Sequence, residues 1–327
     1  MEYRRLGRTG RDISVIGFGA WAIGGDWGTV DDAASLRALH AAADAGVTLF
    51  DTADVYGGGH SERLIGRFLR ERAGESLFVA TKMGRGVPLD PASYTPKAFR
   101  DWVDRSRERL GIDRLDLVQL HCLPTSTYYR PELFAALDDL VADGSIAAYG
   151  VSVEKVEEGL KAIEIPGLAT VQIIFNAFRQ RPAERFLAEA ARRDVGVLAR
   201  VPLASGLLTG TLTRGTPFEP TDHRRFNRHG ESFDMGETFS GVDYETGLAA
   251  VEELRALVPV GATMAQLALR WILMHEGVTA TIPGAKTPEQ ARANAAAADL
   301  APLPGATMDR IAELYTTRIR PLVHQRW

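Results

Sequence analysis

Eight short apolar runs, each followed by a stretch of helical periodicity, constrain this chain more than anything else in its sequence. They lie at 15–18, 47–50, 77–81, 115–120, 146–151, 170–174, 197–201 and 278–282. Each is rich in Val, Ile and Leu at consecutive positions, the pattern of a strand buried on both faces. The helices between them carry end signals. "TPKAFRDWVDRSRERLG" opens with Thr95 as N-cap and Pro96 at the first helical position, and stops at Gly111. "RPELFAALDDLVADG" uses Pro131 and Gly144 the same way and sets Leu133, Leu137, Leu140 and Val141 on one helical face. "TMAQLALRWILMHEG" begins with Thr263 and ends at Gly277. Strands alternating with helices pair in parallel through right-handed crossovers. Eight such units predict a (β/α)8 TIM barrel, an architecture of ~250 residues before insertions.

Two segments stand outside the repeat. "YRRLGRTGRDISVIGFG" reads as an N-terminal β-hairpin before the first barrel strand. Residues 213–241 form a long loop between strands seven and eight, rich in Gly, Pro, Asp, His and Phe. Loops of that length are usually functional or mobile. No linker, low-complexity tract or repeat divides the chain, so residues 1–327 read as one domain. The net charge of −4 gives no hint of a nucleic-acid partner, which would favour a basic face. No apolar run approaches the roughly 18 residues of a membrane helix, and "MEYRRLGRTG" lacks the apolar core of a signal peptide. Cys122 is the single cysteine, which excludes an intrachain disulfide and agrees with a reducing cytoplasm. Oligomeric state leaves no trace.

Active sites of such barrels lie at the C-terminal ends of the strands. The polar residues expected there are Asp51, Lys82, His121, Ser152, Gln172 and Asn176. Asp51 is followed within "FDTADVYG" by a lone phenol, Tyr56. A tyrosine is a poor acid, with a pKa near ~10. Lys82, leaving the next strand, would lower that value by favouring tyrosinate, and Asp51 would hold Lys82 in place. His121 could hydrogen-bond the same reacting oxygen. A tyrosine so tuned passes a proton to a carbonyl oxygen or takes one from an alcohol. Singly, each residue has an ordinary explanation: a turn-capping Asp, a surface Lys, a core His, a packed Tyr. Together, on three successive strand exits, they point to chemistry.

"FDTADVYG", "ATKMG", "DLVQLHC", "YGVS" and "IPGAKTPEQARAN", in this order, resemble the aldo-keto reductase superfamily, as do "LGRTGRDISVIGFGAWAIGG" and "PLASGLLTG". The likeness runs from about residue 3 to about residue 300. It implies a (β/α)8 barrel binding a nicotinamide cofactor, usually NADPH, with a small carbonyl or alcohol as substrate. It implies the tetrad Asp51, Tyr56, Lys82 and His121, with Tyr56 as proton donor, and no metal. It further assigns Gly19, Ala20 and Trp21 to the nicotinamide side and Ser152 and Gln172 to the carboxamide. The loop carrying Pro202, Leu203, Ser205, Gly206 and Leu207 falls to the pyrophosphate, where glycines let backbone N–H groups approach. Gly284, Lys286 and Thr287 precede a helix start that suits the extra phosphate of NADPH. Gln290 and Asn294 would address the ribose and adenine.

The chain departs from the pattern in places. Arg200 stands where many members place an aromatic residue beneath the nicotinamide, and a guanidinium there would stack while altering affinity and redox poise. Val153 replaces an asparagine. Gln290 replaces an arginine frequent in NADPH-preferring members, which leaves NADH possible and Lys286 to carry the preference. Cys122 is expected to line the pocket. Trp21, Trp27, Tyr128, Tyr129, Phe226, Phe233 and Phe239 are candidate pocket walls, or packing for the loop. His223, Arg224, Arg225 and Arg228 are candidates to draw an anion. The loop is expected to cover part of the cofactor.

Three other readings compete. "GFGAWA" fits G-x-G-x-x-A after a strand, the fingerprint of a Rossmann dehydrogenase, although no helix follows. Asp51, Asp54, His60 and His121 could serve a barrel metal hydrolase, although Lys82 among them would repel a cation. A non-catalytic subunit that binds the cofactor and senses redox state would share the fold.

Overall fold

The computed structural model describes residues 1–25 and 27–327. A hairpin comes first: β1 (Tyr3–Arg5) pairs antiparallel with β2 (Asp12–Ser14). Eight strands follow: β3 (Phe18–Gly19), β4 (Leu49–Asp51), β5 (Phe78–Met83), β6 (Leu117–His121), β7 (Tyr149–Val153), β8 (Thr170–Ile174), β9 (Gly196–Arg200) and β10 (Ala280–Thr281). Each neighbouring pair is parallel, in chain order. The sheet closes on itself. Ile16 and Gly19 bridge in parallel to Thr281 and Gly284, and the Gly17 N–H donates to the Thr281 carbonyl at 2.8 Å. This is a (β/α)8 barrel, which removes the open-sheet dinucleotide fold from consideration.

The first and last strands are shorter than expected, because the chain there meets its neighbours through isolated bridges rather than a ladder. The hairpin lies across the N-terminal end. Its Leu6 and Ile13, fully buried, join Leu49, Phe78, Leu117 and Leu198 in one apolar cluster. That floor leaves the opposite end of the barrel to the functional groups.

The helix Pro96–Leu110 starts as expected: the Thr95 hydroxyl accepts from the Ala98 N–H at 3.1 Å, and Gly111 closes it in the left-handed region. Thr263 caps Met264–Leu273 with Gln266 as its reciprocal partner. In the helix Pro131–Ala142, Leu133, Leu137 and Leu140 are buried, but Val141 is exposed. A fourth residue adjacent to Leu140 exceeds the width of the packed stripe. The 213–241 segment is less irregular than expected. It contains the short helix His223–Phe226 and two turns of 3-10 helix, Met235–Glu237 and Phe239–Gly241. Among the described residues no helix is long and apolar enough to cross a membrane.

Candidate active site

Asp51 is the last residue of β4, and Lys82 lies next to the end of the neighbouring β5. Parallel pairing in this register brings their side chains together. The Lys82 ammonium donates to Asp51 Oδ1 at 2.5 Å, to the Thr52 carbonyl at 2.9 Å and to the Tyr56 hydroxyl at 3.2 Å. Both charged side chains are almost wholly buried. Asp51 Oδ2 accepts from Gln172 Nε2 at 2.7 Å, so the ammonium and an amide share one carboxylate. Burial pulls the Lys82 pKa down, but Asp51 and Tyr56 outweigh it and the net direction is up. Lys82 is therefore charged at neutral pH.

Tyr56 sits on a turn that the sequence shapes closely. Gly57 has φ +58°, and a Cβ there would lie 2.0 Å from the Gly24 carbonyl oxygen. The turn is thus pressed onto the segment after β3, where the Trp21 ring stacks 6.1 Å from that of Tyr56. The expectation that Lys82 leaves Tyr56 with a lowered pKa is corrected here. Burial pushes the phenol up by more than Lys82 brings it down, and Asp51 adds to the rise. Tyr56 is neutral at neutral pH, with the Lys82 ammonium 3.2 Å from its hydroxyl.

His121 ends β6, edge-on to Tyr56 at 6.0 Å between ring centres. Burial, then the charges of Arg85 and Lys82, hold its pKa well below the ordinary range, so the imidazole is neutral. Its Nε2 lies 3.4 Å from Arg85 Nη1. Beside the turn, burial and then Glu62 push the Asp54 carboxyl up to about 7, against the pull of Arg109. His60 bonds Asp32 at 2.8 Å instead of joining Asp51 and His121. Among the described residues the hydrolase candidates do not gather into a metal site. Cys122, Glu154 and Glu237 do converge within 4.8 Å, but the Arg200 guanidinium, 2.9 Å from Glu154, would repel a cation there.

A cleft of about 520 Å³ opens from Tyr56 and His121 and runs toward Asn294. Fifteen of the twenty expected site residues line it: Gly19, Trp21, Asp51, Tyr56, His121, Gln172, Arg200, Pro202, Leu203, Ser205, Gly206, Gly284, Lys286, Gln290 and Asn294. The other five do not line it. Lys82 is buried against Tyr56, Ala20 and Leu207 are core residues, and the half-buried Thr287 caps the helix Pro288–Ala295. Ser152 is fully buried, its hydroxyl 3.8 Å from the Cys122 sulfur, and Cys122 itself is buried beside it rather than lining the cleft.

Ala204, Ser205 and Gly206 all have positive φ (46°, 54° and 99°). Successive left-handed residues form a concave backbone suited to anions. At the far end, the Lys286 N–H donates to Gln290 Oε1 at 2.8 Å and its ammonium to the Trp27 carbonyl. Arg224 lines the same end, ion-paired with Asp222 at 2.6 Å.

The long loop straps the mouth. The Ser205 hydroxyl donates to the Glu237 carbonyl at 2.9 Å and accepts from the Phe239 N–H at 3.0 Å. Behind the strap, Trp327 donates from its indole to Asp234 Oδ1 at 2.9 Å and lies under Arg179 at 3.8 Å. A Cβ on Gly241 would come within 2.3 Å of that ring. Phe239 and Tyr128 are packing residues, Tyr129 stands in solvent, and Trp21, Trp27, His223 and Phe233 form one aromatic cluster at the mouth. Sequence reasoning missed Arg85 and Glu237. Arg85 Nη1 donates to Glu237 Oε1 at 2.7 Å, and Arg200 lies 3.6 Å from the same carboxylate. The charge expected to perturb the cofactor from Arg200 is answered by Glu154 and Glu237. The one available signal was position: Arg85 follows Lys82 out of the same strand.

The Aldo/keto reductase family model matches residues 15–316. Aldo-keto reductase YhdN of Bacillus subtilis is 32% identical over 90% of this chain and 87% of its own length. The NADH-specific methylglyoxal reductase of Escherichia coli is 30% identical over 90% and 93%. A solved aldo-keto reductase from Klebsiella pneumoniae in complex with NADPH superposes with a TM-score of 0.70 at 25% identity, covering 97% of this chain and 98% of that one. With a closed barrel, this cluster at its mouth and a family match across nearly the whole length, the chain belongs to the aldo/keto reductase family.

Proposed function

We propose that the protein reduces small aldehydes or ketones to alcohols, or runs the reverse reaction, with NADPH as hydride source and Tyr56 as proton donor. The observation that carries this reading is the Asp51–Lys82–Tyr56 contact beside a neutral His121. A carbonyl oxygen beside the Tyr56 hydroxyl receives its hydrogen bond as charge builds, and a second from His121 in the tautomer whose single proton sits on Nε2. Tyr56 then gives up its proton, and the Lys82 ammonium stabilises the phenolate left behind. Asp51 keeps that ammonium charged and aimed.

The residues along the cleft fit a dinucleotide. The left-handed turn at 204–206 offers backbone N–H groups to a diphosphate. Lys286, Arg224 and the start of the helix Pro288–Ala295 place positive charge where a further phosphate would lie. Bound there, NADPH supplies the hydride. Gln172, already donating to Asp51, ties the base of the cleft to the relay. NADH remains the alternative, since Gln290 turns back to the Lys286 backbone and the E. coli relative is NADH-specific. We place the reaction in the cytoplasm, a reading the lone buried Cys122 supports.

The test is NADPH oxidation against a panel of aldehydes and ketones, with Tyr56→Phe alongside. Loss of the proton donor should lower kcat by about 10²-fold or more while cofactor affinity holds. Tight NADPH binding without turnover on any carbonyl would favour the redox-sensing subunit instead.

A further inference from the structure

We propose that Arg200 makes the protein distinguish oxidised from reduced nicotinamide cofactor, and that the charge state of Glu154 sets how strongly it does so. Oxidised cofactor is held less tightly when Glu154 is protonated and more tightly when it is ionised. This rests on the nicotinamide reading proposed above and names the residues that regulate that site.

Position comes first. Tyr56 and His121 stand at one end of the cleft, and the left-handed turn at 204–206 lies further along it. With a diphosphate on that turn, a ring that delivers hydride beside Tyr56 occupies the stretch between. Arg200 ends β9 just ahead of the turn and lines that stretch with Gln172 and Val201. Its charge is felt at both Tyr56 and His121. Arg224 and Lys286, the other cations lining the cleft among the described residues, sit at the far end.

Charge comes second. Loss of a hydride leaves a nicotinamide ring positively charged, so a bare guanidinium beside it favours the reduced form. Arg200 is not bare. Its Nη2 lies 2.9 Å from Glu154 Oε2 and its Nη1 3.6 Å from Glu237 Oε1. Glu237 also accepts from Arg85 at 2.7 Å. Two guanidiniums and two carboxylates cancel while both carboxylates are ionised. Protonating either leaves one positive charge in the cluster, and Arg200 presents it to the cleft.

Glu154 is the carboxylate placed to take that proton. Both its oxygens are shut off from solvent, and neither has a hydrogen-bond partner among the described residues. Burial pushes its carboxyl up to about 7, with Arg200 pulling against the rise and Glu237 adding to it. Burial raises Glu237 too, but Arg85 and then Arg200 outweigh it and the net direction is down. Asp234 adds a third carboxylate to the field at Glu154. Arg179 Nη2 donates to the Glu154 carbonyl at 3.0 Å, and burial brings that guanidinium down to about 9, so it stays charged at neutral pH. The Cys122 sulfur lies within 4.8 Å, and burial keeps it a neutral thiol. Glu158 faces the backbone instead, accepting from the Glu154 N–H at 3.1 Å.

Fluorescence titration of the full-length protein with NADPH and NADP+, and with NADH and NAD+ alongside, tests this. The ratio of the two Kd values, oxidised over reduced, cancels every group that the two forms share. It should fall about fivefold between about pH 6 and about pH 8.5. By reciprocity, calorimetry near pH 7 in buffers of different ionisation enthalpy should show oxidised cofactor releasing ~0.4 proton more than reduced. Glu154→Gln should hold the ratio at its native low-pH value throughout. Arg200→Met combined with Glu154→Gln leaves Glu237 its Arg85 partner and should hold the ratio near the native value at the upper pH. A native ratio that ignores pH overturns the proposal while leaving the nicotinamide reading intact. So does a step that survives in Glu154→Gln, which would belong to Asp54 on the Tyr56 turn. Failure to bind any of the four cofactors overturns the nicotinamide reading and this role of Arg200 with it.

Discussion

A Lys82→Met substitution separates two roles that one contact combines. In the proposed reaction the ammonium stabilises charge on Tyr56, and in the fold it pairs with Asp51 inside the barrel. For the first role, unit charges at the 3.2 Å separation of Lys82 and Tyr56 attract by about 5 kcal/mol at an effective dielectric near 20. With the proton half transferred, about half of that is lost on substitution, or ~2.5 kcal/mol and ~70-fold in kcat. For the second role, an unpaired buried carboxylate destabilises the fold by roughly 3–5 kcal/mol, softened by the Gln172 bond at 2.7 Å. Adding Asp51→Asn removes the stranded charge. The double variant should therefore recover most of the stability in urea unfolding while kcat, measured at saturating substrate, stays low. Recovery of both together would show that the rate loss came from a disordered site, and the electrostatic reasoning would be wrong. So would a single variant whose kcat falls less than about threefold.

Two further outcomes are expected. Asp54 titrates at about 7 in the fold against a reference of 3.8. The unfolded chain gives up this proton first, so the residue lowers stability progressively as pH rises from about 4 to 7, by up to ~4 kcal/mol; Asp54→Asn should raise the urea midpoint at pH 7.5 and leave it nearly unchanged at pH 4, and an equal shift at both pH values would refute burial as the cause. Trp327→Ala removes the ring against which Gly241 packs and should destabilise by about 3 kcal/mol, speed limited proteolysis within 213–241, and weaken NADPH binding several-fold; cleavage no slower with NADPH than without it would detach the strap from the cofactor.

The eight strands were legible because burial on both faces writes itself as uninterrupted Val, Ile and Leu. Helix ends were legible where caps are local, as at Thr95 and Gly111. The convergence of Asp51, Lys82 and His121 was legible because parallel strands deliver consecutive exits side by side, so their placement needed no long-range information. What escaped was set by atoms far apart in the chain. Arg85 meets Glu237 across 152 positions, and no local pattern in the loop marks Glu237 as its partner. The sign of the Tyr56 shift escaped for a related reason. A neighbouring lysine can be read from spacing, but the depth at which the phenol is buried cannot. Val141 and Ser152 show the same limit on a smaller scale, since periodicity gives a face but not how far the packed surface extends.

The seam between Ile16 and Thr281 bears on how the protein is made. A ribosome must release some 280 residues before the last staves exist to receive the first. Until then the nascent sheet is an arc with two bare rims, each able to pair with another chain. Overproduction faster than that final joining would favour inclusion bodies, and slower translation or a holdase chaperone would relieve them.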